Sequence, residues 1–172
     1  MKILNLHGLN GSAHNTNYQF LSKYYSGRED VEIISPQIDY ASCSPYEVIN
    51  ILYDNIFADI VVGNSFGGFF AYVFSAISGQ KALLINPCVP PHKYIGNLVP
   101  EYKYLDELTH IWEAVYKHKP SNYSLLLGDI DEVIDTITTL NTLNDCKDYT
   151  IISGGHSLKG EAYEKWFKEH LI

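Results

Sequence analysis

The sequence predicts an α/β fold: a mostly parallel sheet of about six strands with helices on both faces. Two observations carry this reading. Short apolar runs alternate with longer helical patterns along the chain, the rhythm of strand–helix–strand units. The runs are also apolar throughout rather than alternating, as expected for strands covered on both sides.

The elements follow in order. Ile3–Leu6 reads as the first strand and stops at His7-Gly8. Thr16–Tyr25 reads as a helix and Val31–Ile34 as the second strand. The helix Pro45–Phe57 opens on Ser44-Pro45, a cap and first-turn pair with Glu47 close behind. Ile60–Val62 is a short strand cut off by Gly63, and the helix Phe66–Ile77 follows, with Gly79 placed to end it. Ala82–Ile85 stops at Asn86-Pro87. Tyr123–Leu127 ends at Gly128 and leads into the helix Val133–Leu143. Tyr149–Ile152 ends at Ser153-Gly154-Gly155, and Leu158–Leu171 closes the chain as a helix.

One interval breaks the rhythm. From Pro87 the chain opens as a proline-rich loop, after which Leu105, Leu108, Trp112, Val115 and Tyr116 recur at helical spacing. The expectation is one domain over residues 1–172. Within it, the segment at about 87–120 is a sheet-covering helix whose lead-in overhangs the site. A small cap is the alternative.

Composition narrows the class. Of the 172 residues, 46% are hydrophobic and 19% charged, which excludes intrinsic disorder. Twelve Lys and Arg against twenty Asp and Glu leave 12 − 20 = −8, so a polyanion would be repelled and no nucleic-acid partner is expected. Cys43, Cys88 and Cys146 form no C-x-x-C and cannot all pair, so reduced, buried thiols are expected. The first apolar run breaks at once on Asn5, His7 and Gly8, unlike a secretory signal. No apolar stretch reaches the roughly 18 residues of a membrane span. The reading is a soluble, cytoplasmic protein. No H-x-H or H-E-x-x-H spacing occurs, so no metal is expected.

Four signals carry chemistry. The first is Gly63-Asn64-Ser65-Phe66-Gly67, a G-x-S-x-G lying directly between a predicted strand and a predicted helix. A serine on such a turn has a strained backbone, and the flanking glycines let strand and helix approach closely. Its hydroxyl is pushed up at the carboxyl edge of the sheet beside a helix N-terminus. The bland alternative is a glycine-rich turn with Ser65 as an ordinary helix N-cap. The second signal is Gly154-Gly155-His156, after the last strand. A histidine base must reach the serine from that same edge. Of the seven histidines, His156 alone lies on this loop.

The third signal is Gly128-Asp129-Ile130-Asp131-Glu132, after the fifth strand. An acid here can hold the histidine in the right tautomer. Asp131 has two loop residues before it to reach across, and Asp129 is the reserve; Asp135 falls inside the predicted helix. The order Ser65, Asp131, His156 is that of the α/β-hydrolase fold. An acidic first helical turn is the alternative reading of the same carboxylates. The fourth signal is Leu6-His7-Gly8-Leu9-Asn10, after the first strand. Acyl transfer needs two backbone N–H donors for the oxyanion. Phe66, next to the nucleophile, supplies one, and Leu9 the other, with Asn10 as its alternative; His7 is structural.

Taken together, LHGLNGS, GNSFGG, NPCVPP, GDIDEVID and GGHS resemble the small bacterial α/β-hydrolase esterases of the YqiA type, over nearly the whole chain from Leu6 to the last helix. The resemblance implies a minimal α/β-hydrolase fold lacking the first strands of the full version. It also implies a carboxylesterase or thioesterase acting on small acyl esters without a cofactor. The nucleophile falls on Ser65, the base on His156 and the acid on Asp131. Short or medium acyl esters are the expected substrates. Acyl thioesters are the alternative, and a partner-binding protein with vestigial catalysis is the rival from another class.

Overall fold

A computed structural model describes residues 1–171. Six strands form one sheet in the order β2-β1-β3-β4-β5-β6, and every pairing is parallel. They are β1 Lys2–Leu6, β2 Glu32–Ile34, β3 Ile60–Asn64, β4 Lys81–Ile85, β5 Tyr123–Gly128 and β6 Tyr149–Ile152. The helices are α1 Thr16–Tyr24, α2 Pro45–Asp54, α3 Phe66–Ser78, α4 Pro91–Leu98, α5 Leu105–Lys117, α6 Thr136–Thr142 and α7 Glu161–His170.

Alternate residues of each apolar strand feed two cores. Leu4, Leu6, Val61, Leu84, Leu125 and Leu127 face α2, α3, α4 and α5. Ile3, Ile60, Val62, Leu83, Ile85 and Leu126 face α1 and α7. This two-sided covering is why the runs read as apolar throughout. The expected α/β fold with helices on both faces is what the chain forms.

Local chemistry sets most boundaries. Ser44 and Glu47 close a capping box at the start of α2. Gly79 takes a left-handed φ of 72° to end α3. Several boundaries differ from the sequence expectation: α2 ends at Asp54 rather than Phe57, and three others have a local cause. β3 continues through Gly63 to Asn64, because Gly63 here permits close packing rather than a turn. The helix expected over Val133–Leu143 begins only at Thr136. Asp131 Oδ1 accepts the Val133 and Ile134 N–H groups at 2.8 Å each, which holds those residues in the loop. Asp135, expected a turn inside that helix, is instead its N-cap and accepts from Thr138 N–H at 2.6 Å. The last helix starts at Glu161 rather than Leu158, after Gly160 at φ 93°.

The proline-rich lead-in is itself partly helical. Pro91 occupies the first turn of α4, where a missing N–H costs nothing. α4 packs on α5, and α5 on α2. Trp112 of α5 is buried in the core against Tyr72 of α3, with ring centroids 6.0 Å apart.

Candidate active site

In a parallel sheet all carboxyl ends share one edge. The order of this sheet reverses between β1 and β3, and a ligand crevice forms outside such a reversal. The loop after β1 and the turn after β3 meet there.

Ser65 stands between β3 and α3 with φ 53° and ψ −122°. A non-glycine residue in this region carries strain of roughly 1–3 kcal/mol, held only where the surroundings over-determine it. The surroundings do so. Ser65 N–H donates to Ile85 O, and Cys88 N–H donates to Ser65 O, both at 2.9 Å. A Cβ at Gly67 would run into the carbonyl oxygens of His7 and Leu6, so only glycine lets α3 start this close to β1. The Ser65 side chain makes no capping hydrogen bond, unlike Asn15, Ser44 and Asp135 at their helices. It is not an ordinary N-cap.

The loop after β1 lies against this turn: a Cβ at Gly8 would sit 3.1 Å from Ser65 Cβ. Its shape is set by His7, which is fully buried. His7 Nε2 accepts the Ile38 N–H at 3.0 Å, which assigns the ring proton to Nδ1 for donation to Gly8 O at 2.8 Å. Leu9 follows at the turn, and Asn10 takes φ 55°. Among the described residues neither the Leu9 nor the Phe66 N–H donates to a backbone acceptor.

Across the edge, Asp131 and His156 pair. His156 Nδ1 lies 2.9 and 3.0 Å from the two Asp131 carboxylate oxygens. The Asp131 side chain is 1% exposed and that of His156 17%. No hydrogen bond joins Ser65 to His156 among the described residues; the ring's bonds go to Asp131 through Nδ1. Asp129, the reserve acid, braces the histidine loop instead, accepting the Gly154 N–H at 2.9 Å, and the His156 ring bonds to Asp131.

Three residues outside the sequence reading also shape the site. Glu132 Oε2 accepts the His156 N–H at 2.9 Å. Hydrogen bonds from its own backbone N–H and then from His156 hold the Glu132 carboxyl below the usual carboxylate range. Asn64, next to Ser65, accepts from Asn15 Nδ2 at 2.8 Å. Asn86 ties the acid loop to the histidine loop. Each lies within a segment singled out in the sequence, GNSFGG, NPCVPP or GDIDEVID, but its partner stands 24 to 70 residues away, so the segment alone did not reveal the bond. A cavity of about 60 Å³ beside His156 is lined by Asn15, Asn64, Ile85 and Tyr163, among others.

The other nucleophile near Ser65 is Cys88. Burial, with the Asp131 charge added, pushes its thiol far above the usual range. Cys43, Cys88 and Cys146 are all free, but only Cys88 is buried; Cys43 and Cys146 are half-buried, against the expectation of three buried thiols. Among the described residues no group of three metal-ligating side chains converges, and no helix is long and apolar enough to cross a membrane.

The model of the uncharacterised protein family UPF0227 matches residues 2–169. The chain belongs to that family. It is the YqiA-like family that the motifs resemble. Solved structures that resemble this member of the family are α/β-hydrolases. Est1E from Butyrivibrio proteoclasticus superposes with a TM-score of 0.76 at 13% identity, covering 99% of this chain and 86% of that one. A monoacylglycerol lipase from Paleococcus ferrophilus gives 0.70 at 13% identity, over 99% and 91%. An S-formylglutathione hydrolase from Staphylococcus aureus gives 0.61 at 18% identity, over 98% and 81%. At such identities the likeness is one of fold, and the six-stranded parallel sheet of this chain is the α/β-hydrolase sheet in short form.

Proposed function

We propose that this protein is a serine hydrolase, a carboxylesterase for short or medium acyl esters. One observation carries the reading. Ser65 is held at positive φ with an uncapped hydroxyl, on the same sheet edge as a buried Asp131–His156 pair. A helix N-cap needs no such strain, and a decayed site has no reason to keep it.

The chemistry follows from roles. Asp131 accepts from His156 Nδ1–H, so Nε2 presents its lone pair. His156 takes the proton from Ser65 Oγ as the oxygen attacks the acyl carbonyl. The Phe66 and Leu9 N–H groups receive the oxyanion. His156 then returns the proton to the leaving alkoxide, which departs as the alcohol. A water, deprotonated by His156 in turn, attacks the acyl-enzyme; the carboxylic acid is released and His156 returns the proton to the departing Ser65 Oγ, which restores the hydroxyl.

Neutral esters fit the charge better than polyanionic thioesters. Asp129, Asp131 and Glu132 flank the histidine loop, and the chain carries a formal charge of −8. The names of the neighbours, among them a monoacylglycerol lipase and an S-formylglutathione hydrolase, agree with a hydrolase. The test is hydrolysis of a p-nitrophenyl ester series by wild type and Ser65→Ala. Turnover that falls with chain length and vanishes in the variant is expected. Equal turnover by pure Ser65→Ala protein would overturn the proposal.

A further inference from the structure

The end of β4 bonds to Ser65, to the His156 loop and to the start of the acid loop, although it supplies no member of the proposed triad. Ile85 O and Cys88 N–H grip the Ser65 backbone at 2.9 Å each. Between them Asn86 is 2% exposed and sits at φ 41°, a region that asparagine tolerates better than most residues. Its side chain uses both kinds of hydrogen-bonding group. Oδ1 accepts the N–H of Gly128, where β5 ends and the acid loop begins, at 2.8 Å. Nδ2 donates to the carbonyls of Gly155 and His156 at 3.2 and 2.9 Å. β5 and β6 stop pairing at Gly128 and Ile152; beyond that point two backbone bonds, Asp129 N–H to Ile152 O and Ile130 N–H to Gly154 O, join the loops directly, and Asn86 adds a brace from β4 to both. Gly128 lets them close up, since a Cβ there would meet the carbonyl oxygens of Gly154 and Gly155.

We propose that Asn86 is a positioning residue: it fixes the separation of the acid and histidine loops and, through its neighbours Ile85 and Cys88, their register on Ser65. Its kinetic consequence rests on the serine-hydrolase reading. Its hold on the His156–Asp131 pair does not. A near-isosteric carboxylate at 86 keeps the acceptor for Gly128 but sets an oxygen against the Gly155 and His156 carbonyls. A glycine keeps the positive φ and removes all three bonds. Either change lets the imidazole drift, and a misplacement near 1 Å costs on the order of 10²-fold in rate.

The experiment compares wild type, Asn86→Asp, Asn86→Gly and Ser65→Ala. Active sites are counted by reaction with a fluorophosphonate to completion. The readouts are kcat per counted site, KM, and the downfield proton NMR signal of His156 Nδ1–H. In both Asn86 variants kcat per site should fall about 10- to 100-fold with KM within about twofold. The Nδ1 signal should be lost or displaced there and retained in Ser65→Ala. If Asn86→Asp does not fold, Asn86→Gly carries the test. Failure of both to fold would make the residue merely structural and overturn the proposal. An unchanged kcat per site, or an unchanged Nδ1 signal, would overturn it too. A wild type that neither hydrolyses esters nor reacts with the probe would defeat the serine-hydrolase reading alone, and the NMR signal would still decide the role of Asn86.

Discussion

Replacing Asp131 by asparagine separates its two tasks. Its Oδ1 accepts the Val133 and Ile134 N–H groups, both at 2.8 Å, and its carboxylate faces His156 Nδ1 at 2.9 and 3.0 Å. An amide has one acceptor oxygen. The two loop N–H groups are fixed donors and claim it, which turns the new NH2 toward His156. A donor then faces Nδ1, and the ring must carry its proton on Nε2, where it can no longer accept one from Ser65. In the serine-protease case of this change the loss is roughly 10⁴ in kcat, or about 5 kcal/mol of transition-state stabilisation. Because the amide oxygen keeps the loop bonds, stability should change by no more than about 1 kcal/mol, which is roughly 2–4 °C in Tm for a chain of this size. Asp129→Asn keeps its acceptor for Gly154 and should cost less than about tenfold. Asp135→Asn remains a good N-cap and should leave kcat unchanged. The assay is kcat for p-nitrophenyl acetate at saturation, with a cooperative melt for each variant. The reasoning fails if Asp129→Asn costs more than Asp131→Asn, or if Asp131→Asn keeps more than about a tenth of kcat.

Two further outcomes are expected. Trp112→Ala empties a core position against Tyr72 and Tyr116. It should cost about 3–5 kcal/mol and lower Tm by roughly 6–20 °C, with the ratio of kcat/KM for acetyl and octanoyl esters unchanged. A shifted ratio would place the indole in the acyl path. For Glu132 the sign follows from its lowered folded value. Its contribution is present above the unfolded carboxylate range and is lost as pH falls through the folded pKa. The Tm gap between wild type and Glu132→Ala should therefore hold near neutrality and close only below about pH 4, the ordinary Glu range. A gap that widens in acid would contradict that direction.

Much of this was legible in the residues. The strand runs were visible because burial on both faces removes alternation, and the Ser65 turn because strand, G-x-S-x-G and helix adjoin. Gly154-Gly155-His156 was readable from its place after the last strand. What stayed hidden acts across space. Asp131 draws two backbone N–H groups to itself and delays α6 to Thr136, against a helical apolar pattern that starts at Val133. Pro90-Pro91 reads as loop, yet Pro91 opens α4. Asn86 reads as a strand breaker before a proline. Its partners in the two loops lie 42, 69 and 70 residues away, a pairing that no local pattern encodes.

The central claim is that Ser65 Oγ is a nucleophile activated by His156. Intact-mass and peptide mapping after brief exposure to a fluorophosphonate tests it most directly. A single adduct on the peptide bearing Ser65 is expected, formed rapidly by wild type, slowly by a His156→Ala variant and not at all by Ser65→Ala. No adduct on folded wild type, or one on any other residue at the same rate in Ser65→Ala, would contradict it.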